Sequence, residues 1–162
     1  MIKSKNQYLS LFLLIFGIIF LHSCEGKGNS QSETLTGVWI SKGENLSALQ
    51  SGLIDSIKII FYRNNEFEEY IFMKEIDPAF YEGIYRVTYP SPGFYQWLTL
   101  MYHDGRVIEG LFHYLLGDYV TIETDLVQTV PDLGYLPPDL QRGVGSSSLG
   151  PANVQIYVKI HD

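Results

Sequence analysis

What most constrains this chain is a rhythm. From Leu35 onward its apolar residues come in short bursts rich in β-branched and aromatic side chains, and no stretch sustains a 3.6-residue period over three helical turns. The bursts cover residues 35–41, 55–63, 66–73, 81–89, 95–102, 106–115, 118–125 and 153–160, which predicts about eight β-strands. The separators carry turn chemistry. Asn64-Asn65 tolerates positive φ in a tight hairpin, His103-Asp104-Gly105 and Gly117-Asp118 are similar, and Pro90-Ser91-Pro92-Gly93 makes a longer break. Strands joined by such short turns must run antiparallel. Alternation separates Ile57, Ile59 and Phe61 from Ser56 and Lys58, and Val154, Ile156, Val158 and Ile160 from Gln155 and Lys159. The apolar set of each strand is expected inside and the other set in water. The expected fold is therefore all-β, an antiparallel up-and-down barrel of about eight strands, because closure removes the exposed sheet edges. A β-sandwich is the alternative with the same strand count.

Two connections stand out. Residues 42–54 carry Leu46, Leu49 and Leu53 at near-helical spacing, which predicts one short helix across an end of the barrel. Residues 126–151 are longer than an ordinary connection and contain Pro131, Pro137, Pro138 and Pro151 with four glycines, so they form either a functional flap or a loop with no task.

The first residues have a different character. A basic start (Met1-Ile2-Lys3-Ser4-Lys5) precedes an apolar stretch over 9–21 and a small residue before Cys24, the order of an export signal. The stretch is short of the ~20 residues that a spanning helix needs. Cys24 is the single cysteine, so no internal disulfide can form even in an oxidising compartment. Leu21-His22-Ser23-Cys24 resembles the lipobox of bacterial lipoproteins. That resemblance implies a signal peptide over 1–23, removed after a diacylglycerol is attached to the Cys24 thiol. It also implies a lipid-anchored place in the cell envelope, at the outer membrane, on its periplasmic or its surface face. Each buried CH₂ of an acyl chain adds about 0.8 kcal/mol, so several chains hold a protein without a spanning helix. Residues 24–34 are polar and rich in glycine and serine, which fits a flexible tether.

The remaining residues, 35–162, are enough for one domain in a chain of 162. Without Lys3 and Lys5, the part from Cys24 onward carries 9 basic against 18 acidic residues. Such a surface repels phosphate, and no run of Lys and Arg interleaved with aromatics offsets it, so a nucleic-acid partner is not expected.

Within this domain, Leu35-Thr36-Gly37-Val38-Trp39-Ile40 places Gly37 and Trp39 two apart on the first predicted strand and resembles the first-strand motif of lipocalin-like proteins. Phe80-Tyr81-Glu82-Gly83-Ile84-Tyr85-Arg86 is similar to a mid-barrel strand of the small lipocalin-like lipoproteins of Gram-negative bacteria, and residues 115–122 are similar to their late hairpin. The resemblance covers 35–160. It implies that Trp39 closes the narrow end of a ligand cup, that Gly37 relieves crowding, and that Lys159 stands where many lipocalins set an arginine on the tryptophan.

Reactive chemistry finds no support in the residue pattern. His103, His113 and His161 have no metal-ligand spacing, so neither metal nor cofactor is expected. No serine sits in a nucleophile elbow, and Ser146 to Ser148 fall in the long loop. Glu66 and Glu68 share a strand face opposite to Glu69, a pattern that reads as a solvated surface, while Glu82, Glu109 and Glu123 lie singly on different strands and would have to meet inside a barrel to act as a hydrolytic pair. The protein is expected not to be an enzyme. The aromatic excess is more informative. Tyr81, Tyr85, Tyr95 and Trp97 are the candidate ligand-lining residues, with Tyr89 near them; the alternative is that they fill a small barrel. The expected function is non-enzymatic binding of a small hydrophobic or amphipathic ligand, the alternative being a structural module that docks on another envelope protein.

Overall fold

The structure, a computed structural model, describes residues 35–89, 94–115 and 120–160. The expected signal peptide, Cys24, the tether, the breaks at Pro90 to Gly93 and at Gly117-Asp118, and His161 lie outside the described residues. Eight strands are present: β1 (Gly37–Lys42), β2 (Ile54–Phe61), β3 (Glu66–Met73), β4 (Ile76–Thr88), β5 (Gln96–Tyr102), β6 (Val107–Tyr114), β7 (Thr121–Val130) and β8 (Gln155–Ile160). Each pairs antiparallel with the next, and β8 returns to β1 through Trp39 opposite Lys159, so the sheet closes into an up-and-down barrel rather than a sandwich.

Local chemistry explains where the strands begin and end. Asn65 takes φ 66° in the β2–β3 hairpin, as its short polar side chain permits, and Glu75 takes φ 63° in the β3–β4 turn without any sequence signal for it. Pro78, which lacks a ladder N–H, falls where the β3–β4 register shifts between Ile71 and Met73; β4 therefore starts five residues before its expected position. β7 continues through Leu126-Val127-Gln128-Thr129-Val130, residues expected in the loop, because their β-branched alternation extends the strand until Pro131.

One end of the barrel is filled by rings. Trp39 is wholly buried, and its indole N–H donates to the Leu35 carbonyl at 2.7 Å. Around it pack Phe61, Phe67, Tyr85, Phe112 and Tyr114, with Phe61 and Tyr85 edge to face at 4.8 Å. The Lys159 ammonium lies 5.2 Å from the Trp39 ring, a cation–π contact in the place the resemblance assigns to an arginine. Gly37 has φ +128°, and a Cβ there would stand 2.7 Å from the Lys159 stem, so glycine leaves room for that stem.

Three expectations are corrected. Residues 42–54 form a 3₁₀ turn at Gly43–Asn45 and a chain of turns from Ser47 to Ile54, not a helix. Leu46 is buried whereas Leu49 and Leu53 are exposed, and the Asn, Ser and Gly residues of so short a segment compete with helical bonding. On β8 the alternation is inverted: Gln155 and Tyr157 are buried toward the interior, and Val158 and Ile160 are exposed. The bulky ring of Tyr157 and the stem of Lys159 fix that register. Finally, the outer face of β6 and β7 is not wet. Leu111, His113, Asp125 and Val127 are buried there. Asp125 accepts the N–H groups of Gly145 and Ser147 and the Asn153 side-chain amide, all near 3 Å, which docks the long connection against the barrel wall.

Candidate functional site

The end of the barrel opposite Trp39 is not filled. It holds a cavity of about 220 Å³ between the strands and the connections that cross above them. Ile57, Ile59, Ile71, Leu100, Ile108 and Leu126 form its apolar wall. Each comes from the inward set of its strand, as alternation requires.

The polar wall is less expected. Glu69 follows Phe67 on the inward face of β3 and is 7% exposed; the same alternation that sends Glu66 and Glu68 outward sends Glu69 in. Its carboxylate accepts the Tyr102 hydroxyl at 2.9 Å. Burial pushes the Glu69 carboxyl above the usual carboxylate range, with Tyr102 and the Arg106 charge pulling the other way. Burial and the neighbouring Glu69 in turn hold the Tyr102 and Tyr157 hydroxyls well above their ordinary value. Arg106 follows the β5–β6 turn. Its guanidinium bonds Asp104 through Nε at 2.8 Å and lies over the rings of Tyr81 and Tyr102, at 4.3 and 4.5 Å. Gln155, 6% exposed, brings an amide into the same wall from β8, and Gln50 brings another from the β1–β2 connection. The two connections are tied across this end by the Leu49 N–H, which donates to the Ala152 carbonyl at 3.3 Å.

Three atoms of this wall find no hydrogen-bond partner: Arg106 Nη2, Gln155 Nε2 and Gln50 Oε1. Buried polar groups are almost always paired, and each unpaired one costs about 1–3 kcal/mol, so three around one cavity mark where a bound polar molecule would repay the deficit. Among the described residues, Glu69 is the single carboxylate lining the cavity, and neither histidine nor serine lines it. The arrangement is suited to holding a molecule by hydrogen bonds and apolar contact.

The aromatic candidates lie elsewhere. Tyr85 is core, its hydroxyl donating to the Tyr62 carbonyl at 2.9 Å. Tyr95 stands on the outer surface against His113, ring centres 5.2 Å apart, and Trp97 lies on the outward side of β5, alternating with the buried Leu98. Tyr81 reaches a separate surface recess with Phe80, His103 and Asp104. None of the four lines the interior cavity. The carboxylates that would have to meet inside to act as a hydrolytic pair do not: Glu82 faces His103 at 3.2 Å, Glu109 accepts from Thr129 at 3.0 Å and Glu123 faces His113 at 3.4 Å, all on the outer surface. Glu69 and Gln155 were legible only as a face opposite to another, since strand alternation gives two faces without saying which is inside, and Arg106 carried no signal beyond opening the sixth burst.

Comparison with protein-family models, with curated proteins and with solved structures finds no match in any of the three.

Proposed function

We propose that this chain is a lipid-anchored envelope protein, held through Cys24 and a short tether, whose barrel binds a small amphipathic ligand without transforming it. The observation that carries this reading is the interior cavity with one apolar wall and one polar wall, the latter holding three unpartnered polar atoms. Its size narrows the ligand. About 220 Å³ is below the ~300 Å³ at which pockets for drug-sized molecules begin, so a membrane lipid does not fit and a molecule of a few carbons with a polar head does. Native mass spectrometry of the protein released in detergent from its own host is expected to show a small molecule bound with 1:1 stoichiometry. Repeatedly empty protein counts against the reading. The anchor has its own test: Cys24→Ala is expected to move the protein from the membrane to the soluble fraction, and continued membrane association contradicts it.

A docking role is favoured by one feature, an outer apolar strip on β1, β2 and β8 where Val38 lies opposite both Ile60 and Ile160, and Ile40 opposite Val158. Val158 and Ile160 are 40% and 44% exposed. In-cell crosslinking from position 158 is expected to capture an envelope protein if this strip is an interface, and yields none if the barrel acts alone.

A further inference from the structure

We propose that the molecule held in the barrel is a small carboxylic acid, its head taken by the unpartnered N–H groups of Arg106 and Gln155 and sharing a single proton with the Glu69 carboxyl. This rests on the ligand-cup reading and adds the chemistry of the head group. The free groups of the wall decide it. Two are donors, Arg106 Nη2 and Gln155 Nε2, against one acceptor, Gln50 Oε1, so the balance calls for a ligand group that accepts more than one hydrogen bond. A carboxylate does so, and the guanidinium adds charge. An ammonium head would leave both donors unpaired and add a second cation beside Arg106.

Glu69 sets the remaining condition. Two carboxylates side by side in a buried site oppose each other's ionisation, so the pair shares one proton. The groups around Glu69 permit this. Ile59 stands opposite it on β2 and Tyr81 on β4; Tyr102 donates to it from β5, and Gln155 and Tyr157 share the cavity from β8. Arg106 is the one cation lining the cavity among the described residues, and it is already engaged with Asp104, so Glu69 has no dedicated counter-ion. Its burial already favours the protonated form.

The test is calorimetric titration of the full chain in detergent with hexanoate, hexanamide and hexylammonium across a pH series, for the natural protein, Glu69→Gln and Gln155→Met. Hexanoate is expected to bind best. Over the pH range in which hexanoate itself is ionised, its affinity is expected to be flat until free Glu69 ionises and to fall about tenfold per pH unit beyond that, with one proton then taken up from buffer. Glu69→Gln, whose amide donates without a proton, is expected to keep hexanoate binding and lose both the pH dependence and the proton uptake. Gln155→Met is expected to weaken hexanoate about tenfold or more and hexylammonium not at all. Preference for hexanamide or hexylammonium overturns the acid assignment and leaves the ligand-cup reading standing, as does a pH dependence that survives in Glu69→Gln where hexanoate is ionised. Failure of all three probes to bind the natural protein overturns the acid assignment, and the mass-spectrometric result then decides the ligand-cup reading separately.

Discussion

Trp39 is held by three contacts: its indole N–H by the Leu35 carbonyl, its face by the Lys159 ammonium, and its ring by the tilted ring of Tyr114 at 6.4 Å. Removing it empties the packed end. Trp39→Ala is expected to cost about 3–5 kcal/mol of unfolding free energy in urea titration, the range for deleting a large buried ring. Glu69 makes the opposite case, a residue whose burial costs stability. Because its folded-state proton affinity is raised by burial, the folded protein holds the proton more tightly than the unfolded chain does. That advantage is complete below the ordinary carboxylate range and is lost as pH rises through the raised value. Urea titrations across pH are therefore expected to show the natural protein losing stability relative to Glu69→Gln as pH rises from about 4.5 upward, with no such trend within the variant.

At the scale of elements, the connection between β7 and β8 is docked on the barrel wall through Asp125. Asp125→Ala removes the acceptor of two backbone N–H groups and of the Asn153 amide, at about 1–3 kcal/mol for each buried group left unpaired. Hydrogen exchange is expected to show the Gly145 and Ser147 amides losing protection while those of β2 and β3 keep theirs. The strands themselves were largely readable from sequence, since period-two patterning and Asn or Gly turns act locally: β3 falls on Glu66–Met73 as expected. What acts at a distance was not readable. β8 presents two plausible faces, and only Tyr157 packing inside and Lys159 lying on Trp39 decide that the more polar set turns inward. The dry outer face of β6 and β7 depends on a loop that returns from far along the chain to Asp125. Tyr95 and Trp97 suggested a pocket by composition, but composition says nothing about which side of a closed sheet a ring occupies.

At the scale of the whole molecule, the two ends of the barrel do different work. The Trp39 end stabilises, packed with six aromatic rings; the other end holds space, polar groups without partners and two connections joined above them. Closure of β8 onto β1 makes this division possible, because a barrel of eight strands is just wide enough to be filled by side chains or to hold one small ligand, and here it does each at one end. The outer strip at Val158 and Ile160 is the competing seat of function. Both are tested by recording amide spectra of the isotope-labelled protein while adding, in turn, the small-molecule fraction and the solubilised protein fraction of its host's envelope. If the cavity is the seat of function, shifts gather at Glu69, Leu100, Tyr157 and the side-chain amide of Gln155 on adding the small molecules. Shifts confined to Val38, Val158 and Ile160, or none at the cavity, would contradict it.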